Sequence, residues 1–335
     1  MTAAHTIRRA RSGASQQAAI ALLVAQTPHD QRCDFEFDTP ADTQAFDADC
    51  AAALNPVTRY LALAGRTVIG TALALRAPWT RTPAPGWLQI RVAPDWRGQG
   101  VGTRLLQRAE HDLRTTGVQT FYTEARSDDQ YAANWLVQHG YASQFQSHML
   151  DLAIDDAQID IAQQRDRMMR QGVRLTTLLD EIWRAPASTL PRLYQLHTVL
   201  THDVPLPDQP FLSYAHFARQ ASELPAAYFI AVDDDEQYIG ESFVQIGGEP
   251  GLLVQRTTGV VSAHRGRGVA TALKTMTIDY ARRDDYARIR AWIESTNKPM
   301  LEISRRMGFA VRPGLTIYRR DATRRRPRAA RPSAQ

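Results

Sequence analysis

The stretch RVAPDWRGQGVG, residues 91–102, decides how this chain is read. It closes an apolar run, turns through three glycines and an arginine, and opens a helical pattern with no acidic side chain between Asp95 and Glu110. A helix start leaves backbone N–H groups unpaired and carries the positive end of the helix dipole. Helices ordinarily answer with a Ser, Thr, Asp or Glu of their own in the first turn. Here Arg97, Arg104 and Arg108 add positive charge instead. Glycines at 98, 100 and 102 let the backbone approach a ligand with no Cβ in the way. Such a turn is shaped for a phosphate or pyrophosphate from outside.

The same turn recurs as GVVSAHRGRGVA, residues 259–270, again with no acid from Arg265 until Asp279. Arg97 and Arg265, Gly100 and Gly268, and Gly140 and Gly308 are each 168 positions apart, so the register holds without a gap for over forty residues. QHGY lies over RMGF, and YLALAGRTVIGTALAL (60–75) resembles FIAVDDDEQYIGESFV (229–244). Each copy predicts a first strand (HTIRRA, GVRLTTL), helix around 15–25 and 189–201, and a hairpin. A further strand into the glycine turn, an amphipathic helix, a strand, a short helix and a closing strand follow. The helix after the turn carries one apolar stripe, Val101, Leu105, Ala109 and Leu113 in the first copy and Val269, Leu273, Met276 and Tyr280 in the second. The expectation is α/β twice over: domains at 1–155 and 172–320, a linker at 156–171 and a disordered tail at 321–335.

Bulk properties agree with two folded domains. At 335 residues the chain can bury two cores, and 44% hydrophobic with 22% charged residues is ordinary for a globular protein. The formal net charge of +5 is local: seven arginines and one aspartate fall in residues 319–335, leaving the body near neutral. That tail reads as disordered and solubilising, with at most weak docking to nucleic acid. Cys33 and Cys50 are the only cysteines and have no metal-ligand spacing, so no metal is expected and a reducing cytoplasm is the simplest location. The apolar stretch AAIALLVA (18–25) is too short for a secretory signal, and no run is long enough to span a membrane.

Two familiar phosphate motifs fail. Neither copy has the lysine of GxxxxGK[ST], and the spacing GxGxG or GxGxA after a fourth strand is not the GxGxxG that follows a first strand. R-x-x-G-x-G/A after a strand ending in Val, with G-F/Y about forty residues on, resembles motif A of the GCN5-related N-acetyltransferases, and the doubling resembles tandem members of the mycothiol-synthase type. The resemblance covers roughly residues 5–153 and 172–320. It implies two mixed, mostly antiparallel sheets flanked by helices, and acetyl-CoA as co-substrate. Pantetheine would pair with the backbone of Ile90, Arg91 and Val92, and of Thr258, Gly259 and Val260. The phosphates would meet Arg97, Gly98, Gln99, Gly100, Val101, Gly102 and Thr103, and Arg265, Gly266, Arg267, Gly268, Val269, Ala270 and Thr271. Asn297 matches a family position that hydrogen-bonds coenzyme A; the first copy has Asp129 there.

Acyl transfer to an amine needs a base, an oxyanion donor and a proton for the leaving thiolate. The oxyanion donor is expected from a backbone N–H near Val92 or Val260. Glu124 matches a carboxylate position used in the family; the second copy has Trp292 there, with Glu294 two residues on and Glu241 on the hairpin as further candidates. The family's usual acid, a tyrosine, is replaced by Leu136 and Ser304. A serine is a weak donor and leucine is none, so water, Tyr131 or an idle first domain are the alternatives. On the acceptor side, the acidic segment 29–50 suits a cationic amine, and the proline-rich segment 200–217 offers His202 beside Asp203. His264 reads as a loop residue. The expected function is acetylation of a primary amine on a small molecule, the second domain favoured; the alternative is an acyl-CoA-binding or sensing module with one or both domains idle.

Overall fold

The computed structural model describes residues 5–10, 14–26, 39–52, 57–76, 84–202 and 213–322. They form two compact units, one of Met1–Gln146 with Leu315–Gln335 and one of Ser147–Gly314.

In the first unit the chain runs β1 (Thr6–Arg9), α1 (Ala14–Ala25), α2 (Pro40–Ala52), β2 (Thr58–Ala64), β3 (Thr67–Arg76), β4 (Gly86–Val92), α3 (Val101–Thr115), β5 (Thr120–Arg126) and α4 (Gln130–Gln138), then enters β6 (Ala142–Ala153). The sheet β1-β2-β3-β4 is antiparallel, β5 adds in parallel to β4, and the last strand of the chain, β12 (Ala310–Asp321), closes it antiparallel to β5 from Leu315↔Arg126 to Asp321↔Thr120. The expected stripe on α3 is buried, joined by Leu106, against Leu88 of β4 and Phe121 of β5.

The second unit opens on the end of β6 and continues α5 (Ile161–Met169), β7 (Arg174–Thr177), α6 (Leu178–Arg184), α7 (Thr189–His202), α8 (Tyr214–Ala221), β8 (Tyr228–Val232), β9 (Tyr238–Ile246), β10 (Leu252–Val260), α9 (Val269–Arg283), β11 (Arg288–Glu294) and α10 (Lys298–Arg306). Strands β7 to β10 are antiparallel, β11 is parallel to β10, and β6 closes the sheet antiparallel to β11 from Arg288↔Ala153 to Glu294↔Ser147. Helices α6, α7 and α8 pack with β8 and β9 in one apolar cluster, while α9 packs with β11 and α10 in another.

The expected boundaries therefore differ from the compact units. The repeat ends each copy with its own sixth strand, yet β12 completes the sheet that holds β5, and the end of β6 completes the sheet that holds β11. Buried ion pairs hold these closures. Arg320 on β12 reaches Glu110 on α3 at 2.7 Å, and Tyr141 donates to the same carboxylate at 2.8 Å. In the second unit Arg290 on β11 meets Asp151 on β6 at 2.8 Å and Glu249 at 2.8 Å. The stretch 156–171, expected as a linker, contains α5, whose Asp160 caps it by accepting from the Gln163 N–H at 2.9 Å and whose Met168 is buried. Sequence reading missed it because IAQQRDRMM has too few apolar positions to show a period, although the Asp160 cap was a usable signal. The expected tail starts too early, since Asp321 is still in the ladder opposite Thr120; the tail from 323 on lies outside the described residues.

Replacing Glu110 with leucine would leave Arg320 and the Tyr141 hydroxyl facing hydrocarbon. Removing one partner of a buried pair costs about 3–5 kcal/mol. Urea denaturation of E110L should show a loss of that order, and a change below about 1 kcal/mol would remove the pair from the account of how the first sheet is closed.

Candidate active site

Both glycine turns are built alike. After β4, a single 3-10 turn (Pro94–Trp96) leads to Gly98 and Gly100 at φ of +74° and +79°; after β10, a 3-10 turn (Ser262–His264) leads to Gly266 and Gly268 at +77° and +90°. These left-handed conformations are what require glycine. Gly100 and Gly268 are the N-caps of α3 and α9, and neither helix start has a side-chain cap or an acid in its first turn. The open N–H groups and uncompensated dipole expected from sequence are present twice. Arg97 and Arg265 serve first as braces: their Nε atoms donate to the carbonyls of Val92 and Val260, at 3.3 and 3.0 Å, tying each turn to its strand. Gln99 likewise donates to the Asp95 carbonyl, and Thr103 pairs with His139 at 2.9 Å.

The two openings differ in their surroundings. A side chain at Gly98 or Gly100 would meet nothing within 4 Å. At Gly268 it would collide with the guanidinium of Arg167 near the end of α5. Arg267 is clasped there by Gln171, its Nη2 donating to the Gln171 carbonyl at 2.9 Å while the Gln171 amide donates to the Arg267 carbonyl at 3.2 Å. The second turn thus carries an additional cation. Arg167 and Gln171 were missed because they lie in the stretch read as linker.

Beside each turn the parallel ladder stops. β4 and β5 pair only at Gly86↔Phe121 and Trp87↔Tyr122, and β10 and β11 only from Leu252↔Arg288 to Gln255↔Ala291. Ile90, Arg91 and Val92 pair with β3 on one edge, and Thr258, Gly259 and Val260 pair with β9 on one edge. Their other edges have no partner in the β4–β5 or β10–β11 ladders, as a pantetheine that adds like a strand would need. β10 differs from β4 in carrying a bulge between Gln255 and Thr258. Gln255 is buried there and donates to the carbonyl of Phe243 at 2.9 Å and to Ser242 Oγ at 3.1 Å. A bulge leaves a residue outside the ladder and re-aims its peptide groups, the kind of backbone from which an oxyanion donor is made.

The candidate carboxylates stand in different settings. Glu124 is buried on β5 and accepts from the Gln89 amide of β4 at 2.9 Å. Glu294, at the end of β11, is half-buried, and burial raises its carboxyl above the ordinary range. Along β11 it shares a face with Trp292, which is 41% exposed, while Ile289, Ala291 and Ile293 point to the α9 side. Glu241 is fully buried on β9, accepting from Tyr228 OH at 2.7 Å and paired with His197 Nδ1 at 2.7 Å within the α7–α8 core. That network is satisfied and closed off. Gly259, opposite Glu241, has Leu200 of α7 packed against it.

Other candidates take structural roles. Asn297 is the N-cap of α10, its side-chain oxygen accepting from the Met300 N–H at 3.3 Å, as Asp129 caps α4 through Ala132 at 2.9 Å. The Asn297 amide nitrogen is not used by that cap. Tyr131 is exposed on α4, Leu136 is buried in apolar core, and Ser304 is fully buried on α10. His202 is exposed at the end of α7, and His264 is 3.8 Å from Asp233. Residues 29–38 and 203–212 lie outside the described residues; of the acidic segment, 40–50 is helical in α2.

Comparison with known proteins identifies the family. The acetyltransferase (GNAT) family model matches residues 24–141 and again 190–309. The chain is 24% identical to a mycothiol acetyltransferase of Pseudarthrobacter chlorophenolicus over 256 residues, covering 73% of this chain and 72% of that one. It is 23% identical to a mycothiol acetyltransferase of Arthrobacter sp. over 235 residues, 67% of each. Among solved structures, a GCN5-related N-acetyltransferase from Sphaerobacter thermophilus superposes with a TM-score of 0.70 at 18% identity, covering 96% of both chains. A tandem GNAT protein from the clavulanic acid biosynthesis pathway gives 0.66 at 16% identity, covering 96% of this chain and all of that one.

A glutamate at the third position of a helix is favourable for the helix and hostile to an anion at its start. Calorimetric titration with coenzyme A should count two sites per chain, and T103E or T271E should each remove one, weakening it at least about tenfold while leaving the melting temperature intact. Equal binding by both variants and the parent would place the diphosphate elsewhere.

Proposed function

The chain belongs to the acetyltransferase (GNAT) family and is an N-acetyltransferase; from that premise we propose that it moves an acetyl group from acetyl-CoA to a primary amine of a small molecule, with the second unit as the working domain. One observation carries the reading: an uncapped helix start beside a parallel ladder that stops, present in both units. Acetyl-CoA supplies the activated acetyl group; everything else is the work of side chains and backbone. The N–H groups at the start of α9, with Arg167 beside Gly268, hold diphosphate charge. The free edge of Thr258, Gly259 and Val260 aligns the pantetheine arm. The bulge in β10 offers backbone N–H to the oxyanion. Glu294 takes the proton from the attacking amine, and its raised pKa makes it the stronger base of its type.

Three contrasts favour the second unit over the first: β4 has no bulge against β3, no cation comparable to Arg167 lies against Gly98 or Gly100 among the described residues, and Glu124 is already engaged by Gln89. The relatives named mycothiol acetyltransferase support a small-molecule acceptor. A second reading, in which the first unit binds acyl-CoA without turning it over, is favoured by Leu136, a buried hydrocarbon at the position expected to supply an acid.

Release of free thiol from acetyl-CoA against a panel of primary amines tests the activity. E294Q should lower kcat/KM about 100-fold. A base must be ionised to act, so activity of the parent should fall as pH drops through the raised Glu294 pKa, with that limb lying above the ordinary carboxylate range and absent in E294Q. If E124Q produces the loss and E294Q does not, the working site is in the first unit.

A further inference from the structure

The two copies part at the bulge in β10, and a buried polar cluster underlies it. Gly86, opposite Phe121, is four residues before Ile90 in β4; Leu253, opposite Ile289, is five residues before Thr258 in β10, so the second copy fits one residue more before the same point. Gln255 pairs with Val244 and Thr258 with Ser242, which leaves Arg256 and Thr257 together opposite Phe243. In a regular strand, residues three apart point to opposite faces. The extra residue brings the side chains of Gln255 and Thr258 to one face, where both reach Ser242: the Gln255 amide donates to Ser242 Oγ at 3.1 Å, and Thr258 Oγ1 is 3.0 Å from it. Thr277 of α9 completes the cluster, its Oγ1 3.1 Å from Ser242 Oγ.

Each hydroxyl proton in the cluster has an acceptor. Thr277 donates to the Leu273 carbonyl at 3.2 Å, so Ser242 donates to Thr277 and Thr258 donates to Ser242. The Gln255 amide is shared further, donating to the carbonyl of Phe243 at 2.9 Å and, more weakly, to that of Thr257 at 3.4 Å, oxygens of the two strands at the bulge itself. Ser242 and Thr277 are wholly buried, Gln255 is nearly so, and Thr258 is half-buried. The first unit builds the same corner from hydrocarbon: Ala72 opposite Ile90 on the strands and Ala109 on α3, all in its apolar cluster, with β4 running through unbulged. Ser242, Thr258 and Thr277 stand in for those three. Buried hydrogen bonds add little net stability over a packed apolar corner; what they add is a fixed geometry. That geometry is fixed where the parallel ladder ends, because Gln255 is the last residue of β10 paired with β11 and Thr258 lies on the stretch beyond.

We propose that the side chains of Gln255, Ser242, Thr258 and Thr277 are positioning groups for acetyl transfer in the second unit: together they hold the bulge peptides of β10 at a fixed angle, so that a backbone N–H meets the thioester carbonyl as it becomes an oxyanion. This rests on the acetyl-transfer reading above. None of the four exchanges a proton with the substrate. As the acceptor nitrogen bonds to the acetyl carbon, an electron pair of the carbonyl moves to its oxygen and is met by the N–H already in place. When that pair returns, the C–S bond breaks and its electrons leave with sulfur; the proton of the nitrogen goes to Glu294, and the thiolate takes one from solvent. A donor aimed in advance favours the oxyanion over the bound thioester, so the cluster acts on kcat and not on coenzyme A affinity.

The test separates aim from bulk. T277V keeps the shape of the side chain and removes its hydroxyl, T277S keeps the hydroxyl, and Q255M keeps the length of Gln255 without its amide. T277V should lower kcat about tenfold and Q255M about 100-fold, both with coenzyme A affinity unchanged, and T277S should recover most of what T277V loses. A second readout needs no turnover. In a T103E background, which confines the coenzyme to the second unit, infrared spectroscopy of the ketone analogue of acetyl-CoA, with a methylene in place of the sulfur, should show the carbonyl stretch lowered on binding. Q255M and T277V should reverse much of that lowering and T277S should not; the pair at Thr277 decides the matter if Q255M does not fold. The parent's kcat in folded T277V, equal losses in T277V and T277S, or a carbonyl stretch indifferent to these substitutions would overturn the proposal. A stretch that depends on the Thr277 hydroxyl in a protein that acetylates no amine would instead support the positioning role and defeat the acetyl-transfer reading.

Discussion

Two parallel strands that begin as a ladder and then cease to pair are the constraint on which the rest of this structure depends. In the first unit the contact between β4 and β5 ends at Trp87↔Tyr122, and in the second that between β10 and β11 ends at Gln255↔Ala291. Beyond those points the strands have no partner in these two ladders, and an edge of that kind elsewhere in a sheet invites another strand. A glycine turn and an uncapped helix start lie at the end of each such stretch. Strand edge and helix start both leave backbone groups outside the regular ladders, and the acetyl-CoA proposed above, amide-rich along its length and anionic at one end, would suit both.

From one scaffold the two units have moved apart in the chemistry of their interiors. The first fills the space between α3 and α4 with Leu106 and Leu136 and ties Glu124 to Gln89. The second interrupts β10 with a bulge held by Gln255, buries Lys274 and Ser304, and sets Arg167 over its turn. Of these groups Gln255 is hydrogen-bonded within its strand pair, whereas Ser304 Oγ has no hydrogen-bond partner among the described residues. Polar groups of this kind in a core are a general feature of functional sites, which is in keeping with the second unit being the one proposed to work.

Electrostatics, by contrast, closes both units in the same way. A buried arginine on one strand meets a buried acid on a neighbouring element, Arg320 with Glu110 and Arg290 with Asp151. These pairs give each sixth strand a defined position, since a slip of one residue would leave a charge in the core. The Glu110 carboxylate also accepts from Tyr141 and Arg114, so its lone pairs are used and its burial is compensated.

The repeat, the uncapped turns, the strand order within each copy and the family were legible in the sequence, because they rest on local pattern: glycine at left-handed positions, an apolar period of three and four, and the absence of acids near a helix start. The helices α5 and α6 were not legible, α5 being short and polar and α6, LLDEIWR, too short to show a helical period. Nor was the closure of each sheet, since β6 and β12 have equivalent patterns and only long-range hydrogen bonds and the pairs at Glu110 and Asp151 choose between their partners. Lys274 was visible in the sequence as one of two lysines, but nothing local separates a lysine on the buried face of a helix from one on a solvated face. Its burial depends on Phe309 and on helices brought against α9 by the fold. Sequence alone determined that each copy opens a helix with its backbone N–H groups left without an acid of its own; only tertiary structure decided that Glu294 is half-buried with a raised pKa and that Lys274 is enclosed, because a pKa is set by the surroundings of a side chain and those are assembled from distant parts of the chain.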